Sequence, residues 1–166
     1  HADEVPRRTG GLWLRRAWEL AESRGAELHV RTGLLKRALE RDPDQAGLRE
    51  QLIPILREEE DWRGLARQIA VRVTDPQVDD GGRVTLMDEL ALLCRERLDD
   101  GMECLDLLEA ALEAVPAHPA ARRQYATLLR EAGGGERLQE MLEQDVRSDD
   151  PAIRQNARLL LAALCT

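Results

Sequence analysis

The chain has no phenylalanine, one tyrosine and three tryptophans, so aromatic residues make up only 2% of its 166 positions. Recognition of single-stranded RNA depends on aromatic faces on which bases stack, and this chain has almost none to offer. Lysine is equally scarce, with Lys36 as the only one. The three cysteines, Cys94, Cys104 and Cys165, do not form a disulfide framework, and all three fall inside helical patterns, where a free thiol packs as a small hydrophobe. No apolar run approaches the ~18 residues of a membrane span. No secretory signal is visible. His1 reads as a tag remnant and the two ends as cut boundaries. The expected compartment is the cytoplasm, and no membrane contact is expected.

What is present is leucine, alanine and charge. Apolar residues reach 43% and charged residues 34%, with a net charge of −8. Leucine and alanine favour helix, while the β-branched residues that favour strand are sparse. The expected fold class is all-α. The summed field repels a phosphate backbone, so nucleic acid is excluded as a general partner. The cations are nearly all arginine. One reading is carboxylate recognition by the planar guanidinium fork; the other is a GC-rich coding bias that runs along the whole chain.

Helix breakers fall at regular intervals. Pro43, Pro76, Pro116 and Pro151 follow helical runs at spacings of 33, 40 and 35 residues. A period in this range indicates a repeat. Each block divides again at REEEDWRG (57–64), RLDDGMEC (97–104) or REAGGGER (130–137), which supply Asp or Gly for caps and turns. The unit is helix, short turn, helix, proline turn. The pattern predicts helices at 12–24, 27–41, 45–59, 61–73, 83–98, 101–115, 119–132, 135–147 and 151–164. Residues 1–10 lack an apolar period and read as a disordered or tag-derived tail. Residues 11–166 read as one repeat domain. In 83–98, Leu86, Met87, Leu90, Ala91, Leu93 and Cys94 recur with helical spacing. Pro116 ends one helix and restricts Val115, whereas Pro119 suits the first turn of the next.

On these residues the chain resembles the tetratricopeptide repeat family, whose unit is a 34-residue helix–turn–helix. The best match covers 86–148. Met87, Leu90, Ala91 and Cys94 match packing positions of its first helix; Cys104, Leu108, Ala111 and Pro116 match the second helix and its closing proline. Tyr125, Ala126, Leu129, Leu138 and Leu142 continue the next unit, and Leu52, Leu56, Trp62, Leu65 and Ile69 form an earlier one. The repeats are degenerate: Leu or Cys stands at most aromatic positions, Ile53 replaces a small crossing residue, Arg72 stands where a small residue is usual, and Pro54 lies inside a helix, at about 3 kcal/mol if unaccommodated. The resemblance implies an α-α superhelix (solenoid) of about four helix-turn-helix repeats plus a terminal helix. It also implies an adaptor or scaffold, or the interaction arm of a larger bacterial-type protein, binding a partner peptide or helix on a concave face.

That face is expected to carry Arg57, then Asp88, Leu92 and Arg95, then Arg123, Thr127 and Arg130, with Glu50 and Pro54 beside Arg57. Some members of the family clamp a peptide carboxylate with Lys and Asn. Here the matching residues are Glu50/Pro54, Asp88/Leu92 and Arg123/Thr127, and only Arg123 fits in charge, so that clamp is not expected. Arg57, Arg95 and Arg130 form a ladder for an acidic partner segment, or else complement helix dipoles and pair with Glu58, Glu96 and Glu131. No enzyme activity, cofactor or metal is expected. His1, His29 and His118 are scattered, GGGER lacks the Lys–Ser/Thr of a phosphate loop, and DPQVDDGGRVTLMDE lacks the first and last acids of a calcium loop. The apolar end of the last helix, Leu159–Leu161, points to a fragment of a longer array or to an end-to-end homodimer, and the alternative function is a homo-oligomerisation module or a regulatory arm of a larger protein.

Overall fold

Aspartates start helices here. Asp79 Oδ1 accepts the Gly82 N–H at 2.7 Å, and Asp100 Oδ1 accepts the Glu103 N–H at 3.1 Å. Each satisfies one of the amides that a helix start leaves without an intrahelical acceptor. The acids that suggested a calcium loop are spent in this way: Asp79 is a cap, and Asp75 Oδ1 accepts the Gln77 N–H at 2.9 Å.

The computed structural model describes residues 4–42 and 46–164. Among the described residues there are nine α-helices and no strands: α1 Glu4–Ser23, α2 Leu28–Arg41, α3 Ala46–Glu58, α4 Trp62–Val73, α5 Asp80–Glu96, α6 Gly101–Ala114, α7 Pro119–Glu131, α8 Gly135–Val146 and α9 Pro151–Leu164. The all-α expectation holds. Residues 4–10, assigned to a tail on sequence, are the first turns of α1. Pro6 is no obstacle there, because amides in the first turn have no intrahelical acceptor to lose. Pro43 and Cys165 lie outside the described residues.

Contacts group the chain into two compact units, His1–Leu65 and Ala66–Thr166, where the sequence reading treats 11–166 as one repeat domain. In the first unit α1 packs on α2 and α2 on α3. Its core is Trp18, Leu35, Ala38, Leu52 and Leu56. Lys36 Nζ donates to Asp61 Oδ2 at 2.7 Å, while Asp61 Oδ1 accepts the Gly64 N–H at 2.9 Å, so the only lysine steadies a helix-capping acid. Pro54 stays within α3. Both Pro54 and Glu50 are exposed.

In the second unit α5 packs on α6 and α7, α7 on α6, α8 and α9, and α8 on α9. Leu90, Leu108, Leu129 and Leu142 fill the interior, and the fully buried Ala111, Ala121 and Ala157 permit close approach of the helices. With no phenylalanine to fill space, the burial energy comes from many leucine and alanine contacts.

Three turns close alike. Ala26, Asp61 and Gly134 each donate a backbone N–H to the carbonyl five residues earlier, and the preceding residue has positive φ: Gly25 at 65°, Glu60 at 56° and Gly133 at 77°. This is the glycine-favouring helix end, and in one of the three it holds glutamate instead. Glu60→Gly should therefore stabilise the first unit by about 0.5–1 kcal/mol, and Gly133→Ala should destabilise the second by about 1 kcal/mol. Urea denaturation followed by far-ultraviolet circular dichroism would register both as shifts in midpoint with unchanged slope.

Candidate functional site

The site is built from the start of α7, the helix that touches every other helix from α5 to α9 in its unit. Pro119 occupies the first turn and His118 caps it. His118 Nδ1 accepts the Ala121 N–H at 3.3 Å, which places the ring proton on Nε2. That nitrogen lies 3.5 Å from Asp88 Oδ1, and the ring also bonds the Val84 backbone, so the cap of α7 is docked on α5. Only 4% of His118 is exposed. Burial lowers its pKa from the ordinary 6.5; the Asp88 carboxylate and the Val84 bond act in the opposite sense without cancelling it.

Arg122, one turn on, is 7% exposed. Its Nη1 donates to the Pro116 carbonyl at 2.7 Å, and Nη2 pairs with Asp145 of α8. Burial lowers the pKa of its guanidinium. Asn156 Nδ2 of α9 donates to the Ala117 carbonyl at 2.8 Å. The short link between α6 and α7 is thus held by α5, α8 and α9 together.

The residues expected on a partner face divide between the units. Arg57 belongs to the first and is exposed, as are Glu50 and Pro54. The other six belong to the second. On α5, Asp88, Leu92 and Arg95 are exposed, Leu92 by 44%. On α7, Arg123 and Arg130 are exposed, two helical turns apart and so on one face, with the half-buried Thr127 between them donating to the Arg123 carbonyl at 3.0 Å. Asp88 is half committed to His118. Arg95 pairs with Glu96 at 2.8 Å, and Arg57, Arg95 and Arg130 each sit in the last turn of their helix, as the dipole reading requires. Arg123 and Arg130 have no carboxylate partner among the described residues.

Beside Arg123 a groove of about 460 Å³ opens between α7 and α9. Pro119, Asn156, Leu159, Leu160 and Ala163 line it with Arg123. Leu159 is 63% exposed, and Leu160 and Leu161 are half-buried, so the apolar end of α9 is only partly covered by its own unit. The sequence reading named Arg123 but missed the groove, His118 and Arg122. His118 had a signal in its position directly before a proline at a helix start. Arg122 had one in standing four residues beyond His118, on the same side of the helix.

Cys94 and Cys104 are buried and free, with the Cys104 thiol 3.9 Å from the Cys94 carbonyl. Burial, followed by the Cys104 contact, pushes the Cys94 thiol far above its ordinary range. Among the described residues no group of three or more His, Cys, Asp or Glu side chains is placed to hold a metal ion. No described helix is long and apolar enough to cross a membrane. Compared with protein-family models and with curated proteins, the chain matches none.

Two predictions follow from these environments. Unfolded His118 takes its proton near pH 6.5, and folded His118 only at lower pH, so its contribution is complete above pH 6.5 and falls as the pH drops below that value. Between about pH 7.5 and about pH 5.5, urea stability should fall more steeply for the native chain than for His118→Asn, which keeps a capping oxygen but cannot titrate. Separately, iodoacetamide at neutral pH should leave Cys94 and Cys104 unmodified in the native protein and alkylate both in urea, as read by peptide mass spectrometry.

Proposed function

We propose that the chain is a non-enzymatic protein-interaction module built of tetratricopeptide-like helix hairpins, and that it binds a partner peptide or helix on the face formed by α5, α7 and α9. The contact pattern of the second unit supports the repeat reading. α5 meets its hairpin mate α6 and also α7, the first helix of the next hairpin, and α7 in turn meets α8 and α9. This is the connectivity of stacked hairpins, in which each unit touches only its neighbours.

The observation that carries the binding reading is the α7–α9 groove. It combines apolar walls with a guanidinium that has no carboxylate partner among the described residues, in a chain whose net charge of −8 would otherwise repel an acidic partner. An extended segment could set an apolar side chain between Leu159 and Leu160 and a carboxylate on Arg123, with Arg130 two turns further along the same face. The use of His118 as a cap and the buried thiols support the non-enzymatic side of the reading.

A self-association module is the second reading, and the 63% exposure of Leu159 favours it. Both are tested by capture from a lysate of the source organism, with the native chain beside Arg123→Glu and Leu159→Glu variants. Loss of the captured partner in both variants, or binding at least about tenfold weaker with unchanged circular dichroism, is the expected result. Retention by both variants would place the interaction on another face. Capture of this chain alone, with a concentration-dependent mass in sedimentation that Leu159→Glu abolishes, would select self-association.

A further inference from the structure

The α7–α9 groove belongs to a chain of net charge −8, yet none of its six lining residues is an acid. Arg123 is its cation, and Arg130 lies seven residues further along α7, exposed in the last turn. Neither has a carboxylate partner among the described residues. Between them stands Thr127, whose hydroxyl is already bonded to the Arg123 carbonyl at 3.0 Å. The exposed side of α7 therefore reads cation, neutral, cation, with an apolar recess at one end. Seven residues of α-helix span about 10.5 Å and bring the second arginine to within about 20° of the first.

That spacing discriminates between shapes of partner. In an extended strand, side chains on one side recur about every 6.6 Å, so two acids stand about 6.6 or about 13 Å apart, and neither matches. An α-helix lying alongside α7 matches in both respects, because its own residues seven apart share the same rise and the same face. The recess fits the same shape. On α9 it is walled by Leu159, Leu160 and Ala163, which lie about one helical turn apart, the pattern between whose ridges the side chains of another helix pack.

We infer that the occupant of this face is an amphipathic acidic helix of a partner protein. Two carboxylates seven residues apart meet Arg123 and Arg130, and an apolar side chain one turn beyond them enters between Leu159 and Leu160. The inference rests on the α7–α9 groove being a binding site, and it adds the partner's secondary structure and the spacing of its charges.

The experiment titrates the full chain, labelled with nitrogen-15, with three peptides blocked at both ends. The first is an alanine- and glutamine-rich helix of about 20 residues, long enough to be helical alone, with glutamates seven apart and a leucine four residues outside each. Leucine at both ends serves either direction of the helix. The second peptide moves one glutamate two places inward, which carries it about 200° round the helix. The third places two glutamates three apart, with the same flanking leucines, in a glycine- and serine-rich chain that does not form helix. Saturable amide shifts at Arg123, Thr127, Arg130 and Leu160 are expected with the first peptide. The second should bind at least about threefold more weakly at equal helicity by circular dichroism, and so should the first peptide to the Arg123→Gln and Arg130→Gln variants. Equal binding of the first two peptides, or tighter binding of the third, at these same amides would overturn the helical partner and leave the groove as a peptide site. Shifts at neither α7 nor α9 with any of the three would overturn the groove reading as well. Shifts of these amides on dilution of the protein alone would assign the face to a second copy of this chain and overturn the proposal.

Discussion

The junction from Pro116 to Arg122 is the constraint on which the second unit depends. A polypeptide cannot run from one helix into the next without leaving amides and carbonyls unpaired, and here those groups are met by side chains that also tie neighbouring helices together. His118 satisfies the Ala121 amide and reaches α5; Arg122 satisfies the Pro116 carbonyl and reaches α8; Asn156 comes from α9 to satisfy the Ala117 carbonyl. Proline at 116 and 119 fixes the backbone between them. Placing α7 therefore places α5, α8 and α9 as well, and the α7–α9 groove follows from where α7 lies.

The polar groups at this junction do a different job from the leucines around them. Leucine and alanine packing supplies burial without much direction, since many leucine arrangements have similar energy. The Arg122–Asp145 pair is a weak source of net stability, because desolvation offsets most of its attraction, yet removing one partner would leave a buried charge and cost about 3–5 kcal/mol. The same division appears between interior and surface: buried Arg122 is paired with Asp145, while exposed Arg123 and Arg130 have no carboxylate partner among the described residues.

Most of the helical plan was legible in the sequence because proline, glycine and aspartate act locally. Pro116, Pro119, Asp100 and Gly133 mark boundaries that no distant contact had to supply. The first turns of α1 were not legible, since residues 4–10 have no apolar period and include Pro6 and Gly10, two residues that usually weaken a helix. The partner face was legible in part. Helical periodicity put Arg123 and Arg130 on the exposed side of α7, but the groove beside Arg123 depends on how α9 lies against α7, and spacing within one helix carries no information about that.

The division of the chain at Leu65 also sorts its chromophores. Trp13, Trp18 and Trp62 all fall in the first unit, and the lone tyrosine, Tyr125, falls in the second. With no phenylalanine anywhere, the ultraviolet optics of the two units are separate by composition. Indole emission therefore comes from the first unit. The phenol absorbance of Tyr125 follows the second, and burial, with Glu109 beside it, holds that phenol un-ionised to higher pH than a free one. One unlabelled sample thus carries a different optical probe in each unit.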